Sequence, residues 1–220
     1  MTLTLHEHPF AAYCWKALIA FYERDVPFER HQVDDEADRA RLAELWPLAG
    51  IPVLVDDAAP ITLPESTTII EYLDRFGDAQ PLIPAEPEAA LQARLWDRVI
   101  DGNVATPMQK IVLDSLRPEG RGDPEGIEEA RARLDQAYPV LDQQLRGGAW
   151  LAGPEFSLAD AAAAPALHYG RVVHRWDEVG LPDLTRYSEA LMARPSVARV
   201  IDEARSFRGV FPLPWPDYVD

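Results

Sequence analysis

Four groups of residues in this sequence have side chains or backbone suited to chemistry. The first is Ile51-Pro52, whose X–Pro bond suits an edge, a strand start or a cis turn, since proline removes a ladder donor. The second is Pro64-Glu65-Ser66, a carboxylate and a hydroxyl where a new helix begins. Ser66 is expected as its N-cap, and Ile69, Ile70 and Leu73 follow at helical spacing. The third is Ala11-Ala12-Tyr13-Cys14, which sets a phenol and the only thiol of the chain near a helix N-terminus. The fourth is the five histidines, His6, His8, His31, His168 and His174.

Several chemistries are unsupported by these residues. The histidines are scattered, and no His/Cys/Asp pattern has a zinc spacing, so no metal site is expected. There is no Gly-x-Gly-x-x-Gly, no Gly-Lys-Ser/Thr and no Gly-x-Ser-x-Gly. Cys14 reads as a core residue, because it shares a stripe with Leu18 and Phe21 past the first helical turn; the other reading is a redox or nucleophilic thiol. Trp96, Asn103, Met108, Tyr169 and Trp176 suit either a substrate pocket or a helical core.

The elements that must position these groups follow in chain order. Leu3 to His6 alternates as a strand, and Tyr13 to Tyr22 has helical spacing that ends near Arg24-Asp25. Pro27 to Val33 reads as a second strand, and Glu36 to Leu45 as a short exposed helix. Val53–Val55 and Ile61–Leu63 are short strands around a turn cluster, and the helix from Ser66 ends near Gly77. This β-α-β-α-β-β-α order is that of a thioredoxin-like α/β domain, placed at 1–78. Residues 79–87, with Pro81, Pro84 and Pro87, form a stiff linker. From 88 to 220 no strand-like alternation appears, and an all-α domain is expected. Its parts are one long helix from Leu91 to Leu116 kinked at Pro107, a returning helix from Ile127 to Leu145, and a buried helix opened by a Ser157-x-x-Asp160 capping box. Shorter helices over Leu184–Ala193 and Ser196–Ser206 follow, then an extended tail from Phe207 to Asp220.

The chain has 220 residues, 47% of them hydrophobic, and a formal net charge of −16. That surface disfavours nucleic acid and anionic membranes, which need basic patches. The longest apolar run, Ala161 to Leu167, is too short to span a bilayer, the first twenty residues do not make a signal peptide, and one cysteine allows no internal disulfide. A cytoplasmic protein is expected.

The stretch from Gly50 to Leu73 resembles the glutathione-binding half of the cytosolic glutathione transferase family, and the order of a thioredoxin-like domain, linker and all-helical domain resembles it over all but the last fourteen residues. The resemblance implies that Ile51, before a cis Pro52, lends its backbone N–H and C=O to the cysteinyl part of glutathione. It also implies that Glu65 and Ser66 grip the γ-glutamyl end. The physics agrees: Glu65 can pair with an ammonium, and a hydroxyl with free N–H groups at a helix start suits a carboxylate. The function implied is transfer of the glutathione thiolate to a small, hydrophobic electrophile, a detoxification chemistry, in a homodimer. A non-catalytic glutathione-binding or ligand-carrying protein is the alternative.

Three departures from the family pattern favour that alternative. Ala11 stands where many members have Ser or Cys, Glu7 where others have Tyr, and Gly50 where a Lys often reaches the glycine carboxylate. With those positions empty, the expected thiol activator is Tyr13 together with backbone N–H groups around Ala11 and Ala12, with Cys14 and His8 in reserve.

Overall fold

The computed structural model describes residues 2–219. A four-stranded sheet is built from β1 (Leu3–Glu7), β2 (Glu29–Gln32), β3 (Val53–Asp56) and β4 (Ile61–Pro64), in the spatial order β2-β1-β3-β4. β1 runs parallel to β2 and antiparallel to β3, and β3 and β4 form a hairpin. The parallel pair needs a crossover, which α1 (Ala12–Arg24) supplies. α2 (Glu36–Leu45) follows β2 and buries only Leu42, as its thin apolar stripe implies. α3 (Ser66–Leu73) leaves β4 and lies beside α1. The α/β thioredoxin-like architecture followed by an all-helical region is thus the fold.

The helical part consists of α4 (Pro87–Ile100), α5 (Thr106–Asp114), α6 (Pro124–Gln144), α7 (Leu158–Val173), α8 (Pro182–Ala193) and α9 (Pro195–Ala204). α7 is its axis. Ala161 to Ala164 and Ala166 are all buried, and such small side chains let α1 and α4 approach α7 closely. Its first turn carries the expected capping box, and the buried Asp160 carboxylate accepts from the Ser157 N–H, the Ser157 hydroxyl, the Leu151 N–H and the Tyr187 hydroxyl at 2.7–3.0 Å. The segment between α3 and α4 is pinned at its middle to both halves: Leu82 and Ile83 donate to the Asp74 carboxylate, and the Leu82 carbonyl accepts from Leu158.

Three local expectations are corrected. The N-cap of α3 is Glu65, and Ser66 is the first helical residue, because the backbone turns into the helix through a positive φ of 71° at Glu65. The long helix expected from Leu91 to Leu116 is two helices joined by a π-helical turn over Asp101–Ala105. Pro107 has no N–H to give the preceding turn, and the chain absorbs this by widening: the Thr106 N–H reaches back five residues to the Asp101 carbonyl, which also accepts the Thr106 hydroxyl at 2.7 Å. The last helix ends at Ala204 and passes into a 3-10 segment, Arg205–Val210, before the irregular strap from Phe211 to Val219. Asp220, the end of the expected tail, lies outside the described residues.

Candidate functional site

The sheet register brings the candidate binding residues to one edge. His6 faces Val53 across β1 and β3, and Val53 faces Pro64 across β3 and β4. The residues just beyond these pairs, Glu7 and His8, Pro52 and Ile51, Glu65 and Ser66, therefore share one end of the sheet. α1 starts from the end of β1, and α3 from the end of β4. Two helix N-termini, each with backbone N–H groups that have no intrahelical partner, thus meet at this end. In a chain of net charge −16 they supply the local positive potential an anionic ligand needs.

The Ile51–Pro52 bond is cis, one of the three roles the sequence left open for Pro52 and the one the resemblance implied. Pro52 is buried and Ile51 half-buried, which leaves the Ile51 backbone at the rim. Glu65 is exposed, and its side chain makes no cap hydrogen bond to α3, so the carboxylate faces outward unspent. Ser66 is 4% exposed at the first position of α3. A non-glycine residue held at positive φ stores backbone strain, and such strain is tolerated where surrounding structure over-determines it.

At the start of α1 the expected donors separate. The Ala11 N–H is already spent on the His8 carbonyl at 2.9 Å, whereas Ala12 is the first helical residue and has no preceding turn to bond. Tyr13 is half-buried, with the Thr106 hydroxyl and the Asp101 carboxylate beside its phenol; burial first, then the Asp101 charge, push its pKa up and keep it protonated. Cys14 is fully buried, and burial raises its thiol pKa far above the ordinary value, so it is an inert core residue. Glu7 is 1% exposed. Its Oε1 accepts from Arg30 at 3.0–3.1 Å, and Arg30 reaches on to Glu203 of α9. Burial raises the Glu7 pKa; this side chain faces inward, away from the site. No group of three or more His, Cys, Asp or Glu able to hold a metal exists among the described residues.

Beside Ala11 and Ala12 opens a pocket of about 210 Å³ between the two halves of the molecule. Phe10 contributes one wall, Met108 and Val112 of α5 a second, and Tyr169 of α7 with Phe211 of the strap a third. Tyr169 and Phe211 stack at 5.8 Å with planes 13° apart, and Trp215 meets both rings edge-on. Of the five residues that suited pocket or core, Met108 and Tyr169 line this pocket, Trp96 and Trp176 are buried in the core, and Asn103 bonds the Val99 carbonyl. Phe10 and Phe211 were not foreseen.

Sequence reasoning also missed Lys16. It is 1% exposed, and its ammonium lies 2.5 Å from Asp97, 3.2 Å from Asp101 and 2.8 Å from the Thr67 hydroxyl, which itself donates to Asp97 at 3.1 Å. One buried cation thereby ties α1, α3 and α4 together directly beside Ser66. Burial raises the Asp101 pKa against the pull of Lys16. The signal was available: Lys16 stands between apolar residues from Cys14 to Phe21, and a cation in such a run needs a buried partner.

With this geometry described, comparison with known proteins is direct. The family model "Glutathione S-transferase, N-terminal domain" matches residues 5–79, and "Glutathione S-transferase, C-terminal domain" matches residues 124–190. The chain is similar to the stringent starvation protein A homolog of Coxiella burnetii, 29% identical over 93% of each chain. It is similar to the glutathione S-transferase GstB of Escherichia coli K12, 26% identical over 84% of this chain and 91% of that one. Among solved structures, a glutathione S-transferase from Methylobacillus flagellatus with glutathione bound superposes with a TM-score of 0.82 at 28% identity, covering 90% of this chain and 98% of that chain.

Proposed function

We propose, from the premise that this chain belongs to the glutathione S-transferase family, that it binds glutathione at the sheet end and transfers its thiolate to a small apolar electrophile. One observation carries the reading: the cis Ile51–Pro52 bond and the Glu65-Ser66 entry to α3 occupy the same edge as the N-terminus of α1. Ile51 offers backbone groups to the cysteinyl part, which sets the sulfur toward Ala12. Glu65 pairs with the γ-glutamyl ammonium, and the Ser66 hydroxyl with the open N–H groups of α3 takes the carboxylate. The Ala12 N–H, the dipole of α1 and the Tyr13 phenol hold the thiolate; the Ala11 N–H, already bonded, is withdrawn from that role. Catalysis on this reading is thiol activation plus proximity, with the electrophile in the pocket next to Ala12.

A non-catalytic glutathione-binding protein is the second reading, favoured by the absence of a hydroxyl or thiol at Ala11 and by the inward Glu7. Glutathione titration followed by thiol conjugation against a panel of electrophiles separates the two. Saturable binding with turnover supports the transferase, binding without turnover on any electrophile selects the second reading, and no binding at millimolar glutathione overturns both.

The assembly we propose is a symmetric homodimer, supported by the exposed Leu91 and Leu95 one turn apart on α4. A monomeric mass in light scattering at micromolar concentration would refute it. No helix among the described residues is long and apolar enough to cross a membrane, and the single cysteine suits a reducing cytoplasm.

A further inference from the structure

The pocket beside Ala12 selects by what its walls lack and by the one polar side chain they leave open. Among the described residues no charged side chain lines it, so an ionic ligand would shed its water there without a counter-charge. Other polar atoms of its walls are already spent. The Ala11 N–H bonds the His8 carbonyl, the Ala11 carbonyl accepts from Cys14 and Trp15, and the Phe10 N–H bonds His8 Nδ1. The Tyr169 hydroxyl is sealed in the core on the side of the buried Cys14, so that ring gives the pocket only carbon. Gln109 differs from all of these. It leaves α5 on the face shared by Val112 and Leu113, three and four residues on, and all three line the pocket. It is half-buried, its amide makes no hydrogen bond among the described residues, and neither amide atom is sealed from solvent. A few open polar groups in an apolar pocket fix how a ligand lies. Phe10 and Phe211, with ring centres 5.6 Å apart, give that ligand a continuous aromatic wall. A dry cavity of about 150 Å³ accepts benzene, so about 210 Å³ accepts one ring with a short substituent.

We propose that Gln109 is a specificity-determining residue of this pocket and selects neutral one-ring electrophiles activated by a carbonyl, its amide N–H donating to the carbonyl oxygen. The proposal rests on the transferase reading and adds the substrate class to it. A glutamine amide both donates and accepts, but a group that activates carbon toward a thiolate withdraws electrons and is itself an acceptor, which engages the N–H. For an aryl enone, the glutathione sulfur forms the new C–S bond at the β carbon with its own electron pair. The π pair of the C=C bond shifts toward the carbonyl, whose oxygen takes up the enolate charge. The α carbon then takes a proton from water, replacing the one the thiol gave up on ionising. The hydrogen bond from Gln109 strengthens as charge develops on that oxygen. An electrophile of the same size without the carbonyl displaces water from the amide and returns no hydrogen bond, so it is disfavoured.

The test uses two matched pairs of probes on the full chain. 4-Phenylbutan-2-one and butylbenzene are titrated without glutathione, read by tryptophan fluorescence, since Trp215 packs on Phe10 and Phe211. Benzylideneacetone and cinnamyl chloride are then assayed with glutathione. Gln109→Met keeps the length of the side chain and removes no internal hydrogen bond. It should weaken 4-phenylbutan-2-one binding and lower kcat/KM for benzylideneacetone about threefold to tenfold, leaving butylbenzene and cinnamyl chloride within about twofold. Gln109→Glu keeps an acceptor and loses the N–H, so it should not restore the ketone. An equal effect of Gln109→Met on both members of a pair, an effect on neither, or parent-like ketone binding by Gln109→Glu overturns the proposal. Preferential, Gln109-dependent binding of 4-phenylbutan-2-one with no turnover of either electrophile keeps the donor assignment and rejects the transferase reading instead.

Discussion

Lys16 and Asp97 form an ion pair at 2.5 Å with each side chain about 1% exposed, and the Thr67 hydroxyl bridges them. Two half-molecules meet at this pair, since Lys16 lies on α1 and Asp97 on α4. Thr67 follows Ser66 directly, so the pair also fixes where the first turn of α3 sits. A buried pair is costly to desolvate but far costlier to halve, because the remaining charge has no water to turn to.

Lys16→Met should therefore destabilise the fold by about 3–5 kcal/mol, as it leaves Asp97 buried without its cation and Asp101 with only the exposed Arg98. Adding Asp97→Leu should return part of that loss. Denaturant midpoints at constant slope measure both. Equal midpoints for Lys16→Met and the parent would show that the pair contributes nothing.

The strain at Glu65 predicts opposite changes in stability and binding. Glu65→Gly relieves the positive φ of 71° and should stabilise the protein by about 1 kcal/mol, while removing the carboxylate weakens glutathione binding. Ser66→Ala should cost about 1.5–3 kcal/mol of binding affinity through a lost charge-assisted bond. Thermal unfolding and isothermal titration read the two quantities. If glutathione binds both variants as it binds the parent, Glu65 and Ser66 do not hold the γ-glutamyl end.

Gly50 invites a gain of function. A Cβ built there meets nothing within 4 Å, and its backbone is not in the left-handed region, so a long side chain is accommodated. Gly50→Lys should tighten glutathione binding about threefold to tenfold by pairing with the glycine carboxylate, and the gain should shrink as salt rises. An unchanged dissociation constant at low salt would mean that this carboxylate lies elsewhere.

His168 sets part of the acid limb of stability. Burial first, then the nearby Arg208, Arg171 and Arg205, lower its pKa to about 3, against an ordinary 6.5. Between those values the unfolded chain binds a proton that the folded protein refuses, so stability falls as pH drops from about 6.5 toward 3. The contribution is fully present above pH 6.5. His168→Phe should flatten this slope, removing on the order of 4 kcal/mol of pH dependence over the window. Denaturant unfolding at pH 4.5 and pH 7.5 compares the variants, and identical slopes would show that His168 is not the titrating group.

By itself the sequence determined what local chemistry dictates. Proline before a β-branched run marked Pro52 as an edge, a strand start or a cis turn, the family resemblance narrowed this to the cis bond, alternation marked β1, and the Ser157-x-x-Asp160 spacing marked the start of α7. Those signals are short-range, so they survive without knowledge of the partner elements. The tertiary structure decided everything that depends on what lies opposite. Glu65 rather than Ser66 caps α3, since the backbone enters the helix through a positive φ at Glu65, and the N–H missing at Pro107 is absorbed in a π turn in which the Thr106 N–H reaches back to the Asp101 carbonyl. Lys16 was passed over because its partners Asp97 and Asp101 lie more than eighty residues away along the chain and only the packed helices bring them to face it. The same distance hid the pocket: Phe10, Tyr169 and Phe211 lie far apart along the chain, and only the packing of the strap over α7 and the start of α1 brings them around one cavity.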